Sequence, residues 1–243
     1  MIYGIIGDIH SNYDALTAVV AELKQERVDR VLCIGDIVGY AAEPAKCIDL
    51  VRELNCVTVA GNHDYATVGK FPVEYFHADA STVVLWTARQ LSDDYMNFLK
   101  NLPLVEELDG ITLVHASLNH PEFFDYITTV TDAQLCLDKL KTTVCFYGHT
   151  HVPLAIFLDN KGDKHMDRGS VFDLNNVNKV IINVGSVGQP RDWDMRASCA
   201  IYDTDKKIVT IKRVKYNIND AVEKVYLAGL PGINALRLME RVI

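Results

Sequence analysis

The sequence lacks any apolar run close to the roughly 20 residues that a membrane-spanning helix needs. Its first residues, MIYGIIGD, also lack the basic region and the long apolar stretch of a signal peptide. We therefore expect a protein without membrane contact, and we place it in the cytoplasm.

Positive charge is scarce as well. Lysine and arginine together number 24 against 32 aspartate and glutamate residues, so the formal net charge is -8. No basic stripe is present, which argues against a stable complex with nucleic acid or with an anionic membrane surface. A small anionic substrate stays compatible with this balance, because a bound metal can supply positive charge locally.

The motifs of covalent and disulfide chemistry are missing. The six cysteines are scattered and form no CxxC pair, and most lie in apolar runs, which favours buried free thiols over disulfides or a zinc knuckle. The sequence also has no GxSxG motif, no Walker loop and no CxxxxxR phosphatase loop. We therefore expect no covalent enzyme intermediate.

What the first sixty residues do contain is a repeated strand–helix pattern. Apolar runs at 2–6, 31–34 and 57–60 each end in glycine followed by a polar residue, and helical patterns at 14–26 and 44–54 separate them. This alternation predicts parallel strands with helical crossovers. Open α/β sheets bind ligands at the carboxyl ends of their strands, so we expect the site there.

Residues 66–102 interrupt this pattern and resemble an insertion. Helices are predicted at 79–90 and 92–102, followed by a hairpin of residues 104–108 and 111–115. Aromatic residues in and beside the insertion either stack on a substrate base or pack its own interior; they are Tyr65, Phe71, Tyr75, Phe76 and Trp86.

The rest of the chain predicts a helix at 131–141, strands at 144–147, 154–158, 179–184, 197–202 and 208–214, and a helical tail from residue 219. We expect a single domain over residues 1–243, with an early, mostly parallel sheet and a later, mixed one. The oligomeric state stays open, because the apolar residues of the tail can pack on the same chain or on a partner. These residues are Leu236, Met239, Val242 and Ile243.

Side chains of metal-ligand type follow the predicted strands one after another. They are Asp8, His10, Asp36, Asn62, His63, His115, His149 and His151. Singly, each has an ordinary explanation, as a helix cap, a turn residue or a structural histidine, but chance does not account for their repeated position after apolar strands. Carboxylate, imidazole and amide donors indicate a hard or borderline ion, such as manganese, iron, zinc, nickel or cobalt, rather than a soft thiolate site. More than four such ligands indicate two ions.

The motifs Gly7-Asp8-Ile9-His10, Gly35-Asp36, Gly61-Asn62-His63-Asp64, His115 and Gly148-His149-Thr150-His151 resemble the calcineurin-like metallophosphoesterase family. This pattern spans residues 7–151, and residues 183–191 (NVGSVGQPR) resemble the small bacterial and archaeal members of its phosphodiesterase-type branch. The resemblance implies an α/β protein with a four-layer α/β/β/α sandwich of two mixed sheets, a small helical cap at about 66–102, and a dinuclear metal centre.

The same resemblance implies a role for each ligand position. The first metal would be held by Asp8, His10 and His151, the second by Asn62, His115 and His149, and both by Asp36 as a bridge. Residues two apart on a strand-like backbone point to the same side, so the two histidines of GHTH at first favour one shared ion. The ligands available at the other strand ends instead place one of these histidines on each ion.

Three further residues are implied outside the ligand set. His63 would act as the acid that assists the leaving group or as a transition-state stabiliser. Asp64 would either orient His63 or cap the turn that follows. Arg191 would either contact a substrate phosphate or be an ordinary surface arginine near Trp193.

The predicted function is hydrolysis of a phosphate ester by in-line attack of a hydroxide that bridges two divalent ions. Manganese is favoured, with iron, zinc, nickel, cobalt or magnesium as alternatives. We expect a phosphodiesterase acting on a small molecule or nucleotide; the alternatives are a phosphomonoesterase or protein phosphatase, a dinucleoside polyphosphate hydrolase, and a catalytically silent scaffold of the same fold. Residues 35–40 read GDIVGY where the protein phosphatases of the superfamily have GDxVDRG, which argues against a dedicated protein phosphatase.

Overall fold

The computed structural model describes residues 1–239. Its strands are β1 (Ile2–Ile6), β2 (Arg30–Cys33), β3 (Val57–Thr58), β4 (Val105–Leu108), β5 (Ile111–Val114), β6 (Val144–Tyr147), β7 (Leu154–Asp159), β8 (Lys164–Asp167), β9 (Val171–Asp173), β10 (Val177–Asn183), β11 (Ala197–Asp203) and β12 (Ile208–Val214). Its α-helices are α1 (Tyr13–Gln25), α2 (Pro44–Glu53), α3 (Asn62–Thr67), α4 (Ala78–Gln90), α5 (Asp93–Lys100), α6 (Val130–Lys139), α7 (Ile218–Leu227) and α8 (Gly232–Met239). Short 3₁₀ turns occur at Val73–Tyr75 and Pro121–Phe123.

The strands form two six-stranded sheets, and both are mixed. The first has the order β3-β2-β1-β11-β12-β9 and the second has the order β4-β5-β6-β10-β7-β8. As the strand–helix repeat predicts, β1, β2 and β3 pair in parallel, but β1 also pairs antiparallel with β11. The expected division into an early parallel sheet and a later mixed one is therefore wrong, because β9, β11 and β12 return from late in the chain to complete the first sheet.

Alternating side chains divide the interior into three layers of apolar contact. Ile5 on β1 and Phe146 on β6 point into the core between the sheets, whereas the neighbouring Ile6 faces α1 and α2 and Cys145 faces α6. This period of two is the expected consequence of strand geometry. The result is the four-layer α/β/β/α sandwich implied by the resemblance.

The insertion is helical, and α4 and α5 fall where helices are predicted. A further helix that was not predicted, α3, precedes these two and begins at Asn62, with Gly61 as the N-cap residue. Three residues separate β3 from this helix, and Asn62 and His63 lie in its first turn.

The C-terminal helices pack against the insertion. Val83 of α4 shares a buried cluster with Ala221 and Val225 of α7 and with Leu238 of α8. Two of the apolar tail residues stay exposed, Leu236 by 40% and Met239 by 49%, while Val242 and Ile243 lie outside the described residues.

The cysteines are free thiols, as predicted, with five buried and Cys56 partly buried. Within residues 1–239, no helix combines the length and the apolar character needed to cross a membrane.

Candidate metal centre

The ligand-type residues meet at one edge of the two sheets. Each follows a strand end or begins a helix that follows one, and each is at most 7% exposed; they are Asp8, His10, Asp36, Asn62, His115, His149 and His151. The carboxyl ends of parallel strands β1 and β2 in one sheet and of β5 and β6 in the other supply most of them. The sequence prediction of a shared site at strand ends is thus consistent with where the structure places these residues.

One group of donors consists of Asp8, His10 and His151. The Oδ1 atom of Asp8 lies 3.3 Å from Nε2 of His151 and 3.8 Å from Nε2 of His10. The two imidazole Nε2 atoms are 3.0 Å apart. Three donor atoms at these separations, all within 4.8 Å of one another, can hold a single ion.

A second group lies beside the first and consists of Asp36, His115 and His149. Nε2 of His115 is 3.2 Å from Nδ1 of His149 and 3.3 Å from Oδ2 of Asp36. The GHTH histidines therefore separate, His149 toward His115 and His151 toward Asp8, as the ligand count indicates.

Asp36 belongs to the second group but also faces the first. Its Oδ1 accepts a hydrogen bond of 2.9 Å from the backbone amide of His63, which fixes the carboxylate. Its Oδ2 is 3.6 Å from Nε2 of His10 in one group and 3.3 Å from Nε2 of His115 in the other. One carboxylate oxygen is thus presented to both groups.

Asn62 supplies the observation that best tests whether the site suits a metal. Its Oδ1 atom is buried and has no hydrogen-bond partner among the described residues. A buried carbonyl oxygen without a partner is costly, because it has lost its hydration. A cation would satisfy this oxygen, so the donor set fits a divalent ion.

Backbone carbonyls orient three of the imidazoles. Nδ1 of His10 lies 3.2 Å from the carbonyl of Val38, and Nδ1 of His115 lies 2.9 Å from that of Ile34. Nδ1 of His151 likewise lies 2.6 Å from the carbonyl of Gln189. Because a carbonyl only accepts, each Nδ1 carries a proton and each Nε2 atom faces the site.

The backbone at the site is held in an uncommon conformation. Left-handed φ values occur at five of the candidate ligands, namely Asp8 (48°), His10 (51°), Asp36 (51°), His149 (67°) and His151 (61°). Non-glycine residues in this region carry strain of about 1–3 kcal/mol each, and such residues cluster at functional sites. The sequence shows no sign of this strain.

Two glycines of the motifs are needed for close approach. A Cβ atom on Gly148 would lie 2.3 Å from Oδ2 of Asp8, and one on Gly61 would lie 2.0 Å from Oδ1 of Asp36. Oδ2 of Asp8 also accepts a 3.0 Å hydrogen bond from the amide of His149. Glycine at these positions therefore lets the backbone reach the carboxylates.

The protonation states of the metal-free site follow from burial and charge. Burial lowers the pKa of His10, His149 and His151, so these imidazoles are neutral, which is the form that binds a metal. Burial also acts to raise the pKa of Asp36, but nearby His115 and His63 outweigh it and hold that pKa well below its usual range. Asp36 is therefore an anion.

His63 lies at the edge of the donor groups. Its ring centroid is 4.8 Å from that of His10, 4.6 Å from that of Tyr40 and 4.8 Å from that of Phe76. Its Nδ1 atom is buried without a hydrogen-bond partner among the described residues. Burial lowers the pKa of His63 to about 4. A ligand atom of His63 also lies within 4.8 Å of ligand atoms of His10 and Asp36. The geometry therefore permits a metal-ligand role for His63 as well as a role toward the substrate.

The contacts of Asp64 support one of its two predicted roles. Its Oδ2 accepts from the amide of Gly61 at 2.9 Å and its Oδ1 accepts from the amide of Val38 at 3.2 Å. The first contact caps α3. Asp64 therefore holds the backbone on either side of the site, which favours the capping alternative over a contact with the His63 ring.

Arg191 is half-buried and reaches the site. Its Nη2 donates to the hydroxyl of Tyr40 and to Oε1 of Gln189, each at 3.2 Å, and its guanidinium lies 5.6 Å from the centroid of the Tyr40 ring. Trp193, two residues further on, is 54% exposed. Arg191 thus faces the site, as a phosphate-binding role requires.

A cavity of about 750 Å³ opens above the donor groups. Of the aromatic residues singled out in the sequence, Phe71, Tyr75 and Phe76 line it, whereas Trp86 packs against the C-terminal helices and Tyr65 against the α-helical side of the first sheet. The aromatic residues in and beside the insertion are therefore divided between the cavity and the interior.

A second wall of this cavity comes from residues that sequence reasoning missed. Phe124 and Tyr126 lie in the loop after His115, and the Tyr126 ring stacks on His149 with centroids 3.9 Å apart. Tyr40, in the loop after Asp36, also lines the cavity. The only sequence signal for Phe124 and Tyr126 is the density of aromatics in HPEFFDY (residues 120–126), which begins five residues after His115.

Comparison with known proteins gives matches over most of the chain. A family model described as calcineurin-like phosphoesterase superfamily domain matches residues 1–207. An uncharacterized protein of Methanocaldococcus jannaschii is 38% identical over 233 residues, covering 93% of each chain. The crystal structure of a metallophosphoesterase from Sphaerobacter thermophilus is similar with a TM-score of 0.88 and 39% identity, covering 100% of this chain and 99% of the other. A symmetrical bis(5'-nucleosyl)-tetraphosphatase of Sodalis glossinidius is 26% identical over 119 residues, covering 47% of this chain and 42% of its own.

Proposed function

Since this chain belongs to the calcineurin-like phosphoesterase superfamily, a family of metal-dependent phosphoester hydrolases, we propose that it is a phosphodiesterase with a dinuclear centre that acts on a small-molecule or nucleotide substrate. The observation that carries the proposal is the position of Asp36, whose Oδ2 lies 3.6 Å and 3.3 Å from imidazole nitrogens of two separate donor groups. A single carboxylate shared in this way is typical of paired divalent ions.

The two groups would hold the ions as follows. Asp8, His10 and His151 would hold the first ion, and Asn62, His115 and His149 would hold the second, with Asp36 shared between them. We propose manganese for both positions, because mixed oxygen and imidazole donors suit a borderline ion. When bound, such ions supply positive charge for phosphate oxygens and lower the pKa of water toward neutrality.

His63 and Arg191 would act on the substrate from the protein side. His63 is neutral in the ligand-free protein, because burial lowers its pKa to about 4, and a phosphate anion beside it would raise that pKa. The ring can then donate a proton or a hydrogen bond to the leaving oxygen. Arg191, held by Tyr40 and Gln189, would position a phosphate oxygen through its remaining N–H groups.

The affinity for manganese should rise with pH between about pH 7 and 9. Burial acts to lower the pKa of His115, but the charges of Asp36 and Asp8 outweigh it and raise the pKa to about 9. His115 is therefore protonated at neutral pH and must lose a proton to bind a metal. Calorimetric titration with Mn²⁺ under nitrogen should show affinity increasing by up to about tenfold per pH unit and levelling off above the pKa, with proton release. An affinity that stays constant over this range would contradict the role of His115.

The size of the cavity favours a small substrate over a protein. A cavity of about 750 Å³ falls within the roughly 300–1,000 Å³ of small-molecule sites. A dinucleoside polyphosphate is a second candidate, since a related protein from Sodalis is a tetraphosphatase of that kind and aromatic rings line the cavity. A silent scaffold is disfavoured, because every implied ligand and His63 are present and buried.

A substrate comparison tests the proposal. Manganese-loaded protein should hydrolyse bis(p-nitrophenyl) phosphate faster than p-nitrophenyl phosphate, and a chelator should abolish both activities. A faster monoester reaction would replace the proposal with a phosphomonoesterase. No hydrolysis of either compound or of a dinucleoside polyphosphate, with any of several divalent metals, would favour the scaffold.

A further inference from the structure

The cavity above the metal centre has two chemically different halves. One half is lined by four candidate metal ligands together with His63 and Arg191; these ligands are Asp36, Asn62, His149 and His151. The other is walled by aromatic rings from the insertion and from the loop around Pro121–Phe123. We propose that this second half binds the nucleobase of the substrate, with Tyr75 and Phe123 as the stacking residues. The inference rests on the proposed function and specifies its substrate class as a nucleoside phosphodiester.

The aromatic wall is continuous with the site of chemistry. The ring of Phe76 lies 4.8 Å from that of His63 and 5.9 Å from that of Phe71. Phe71 in turn contacts Tyr75 at 5.5 Å and Phe124 at 5.2 Å, so it joins the insertion to the loop. A phosphate beside His63 therefore has an aromatic surface within reach of the group attached to it.

The rings of the aromatic wall differ in how much of their surface is exposed. Phe124 is 4% exposed, whereas Tyr75 is 78% and Phe123 is 60% exposed although both line the cavity. Large aromatic rings exposed at the rim of a cavity are suited to covering a flat partner. Stacking of a base on an aromatic side chain typically changes affinity by about 10- to 100-fold.

The charges beside the aromatic rings favour a nucleobase over an aliphatic chain. Glu122 and Asp125 line the cavity and flank Phe123 and Phe124 in the chain, whereas the ammonium of Lys70, which also lines it, donates to the carbonyl of Lys100. Carboxylates repel a phosphate, which is directed instead toward Arg191 and the metals, but they accept hydrogen bonds from the amino groups of a base. An alkyl chain would gain nothing from them and would leave them partly desolvated.

Calorimetry with three phosphate monoesters tests the inference on manganese-loaded protein. Adenosine 5′-monophosphate, hexyl phosphate and methyl phosphate present the same phosphate with different attached groups. We expect the nucleotide to bind at least about tenfold more tightly than either of the others. Tyr75→Ala and Phe123→Ala should each weaken nucleotide binding about tenfold and change methyl phosphate binding less than about twofold.

A matched control is available in Tyr226→Ala. Tyr226 is 53% exposed on α7 and does not line the cavity, so its loss should leave all three affinities unchanged. Equal affinities for the nucleotide and hexyl phosphate would show a general apolar site and overturn the inference. Nucleotide binding that is indifferent to both rim variants would overturn it as well.

Hydrolysis of bis(p-nitrophenyl) phosphate, measured on the same samples, separates this inference from the proposed function. Hydrolysis without a preference for the nucleotide overturns the nucleobase subsite alone. Ring-dependent nucleotide binding without any hydrolysis supports the subsite and overturns the phosphodiesterase. Absence of both the nucleotide preference and the hydrolysis overturns both the nucleobase subsite and the phosphodiesterase.

Discussion

Asp36→Asn should reduce bound manganese from about two ions per chain to fewer than one and lower phosphodiester hydrolysis by at least about a thousandfold. The amide keeps an oxygen to accept the hydrogen bond from the His63 amide, at 2.9 Å in the native chain. It removes the negative charge that faces both His10 and His115 at 3.6 Å and 3.3 Å. The loss should therefore concern the metals more than the fold.

Elemental analysis after gel filtration measures the bound metal, and circular dichroism verifies that the variant is folded. The matched control is Asp220→Asn, an exposed aspartate in the first turn of α7, which should retain both metal and activity. Retention of two ions by Asp36→Asn would contradict the bridging assignment.

His63→Ala should lower kcat by about 100- to 10,000-fold while the bound metal stays unchanged. His63 lies beside the donor groups, with its Nδ1 buried and unpartnered among the described residues, so it is placed to act on the substrate. If it assists the leaving group, the loss should be greater for an alkyl ester than for a p-nitrophenyl ester, because an alkoxide needs a proton more than a phenolate does.

The same variant decides between two roles that the geometry permits. A ligand atom of His63 lies within 4.8 Å of those of His10 and Asp36, so loss of metal in His63→Ala would identify it as a ligand. An equal loss of kcat for alkyl and aryl esters would indicate transition-state stabilisation without proton transfer. His165→Ala, which removes an exposed imidazole on β8 away from the cavity, serves as the control.

The sequence predicted the composition of the site better than its shape. Ligand-type residues after apolar strands are visible in the sequence, because glycine and a polar residue terminate each buried strand. The assignment of His149 and His151 to different donor groups can also be predicted from the sequence, by counting the donors available at the other strand ends. The left-handed backbone conformation at Asp8 and Asp36 cannot be predicted in this way, since only the folded chain shows what forces it.

The remaining errors concern contacts distant in the chain and strands without a local apolar pattern. The pairing of β1 with β11 depends on the return of the chain after β10, which no local pattern encodes. Strands β8 and β9 went unpredicted because their residues are mostly exposed and lack an apolar alternation. Tyr126 was missed because its stacking on His149 is a tertiary contact from a loop without periodicity.

Titration of the metal-free protein with Mn²⁺, with bound metal and phosphodiester hydrolysis followed together, is the most direct test of the dinuclear phosphodiesterase. The placement of Asp36 between two donor groups predicts that hydrolysis appears as the second equivalent binds and saturates there. Full activity with one equivalent, or no hydrolysis with both sites filled, would contradict it.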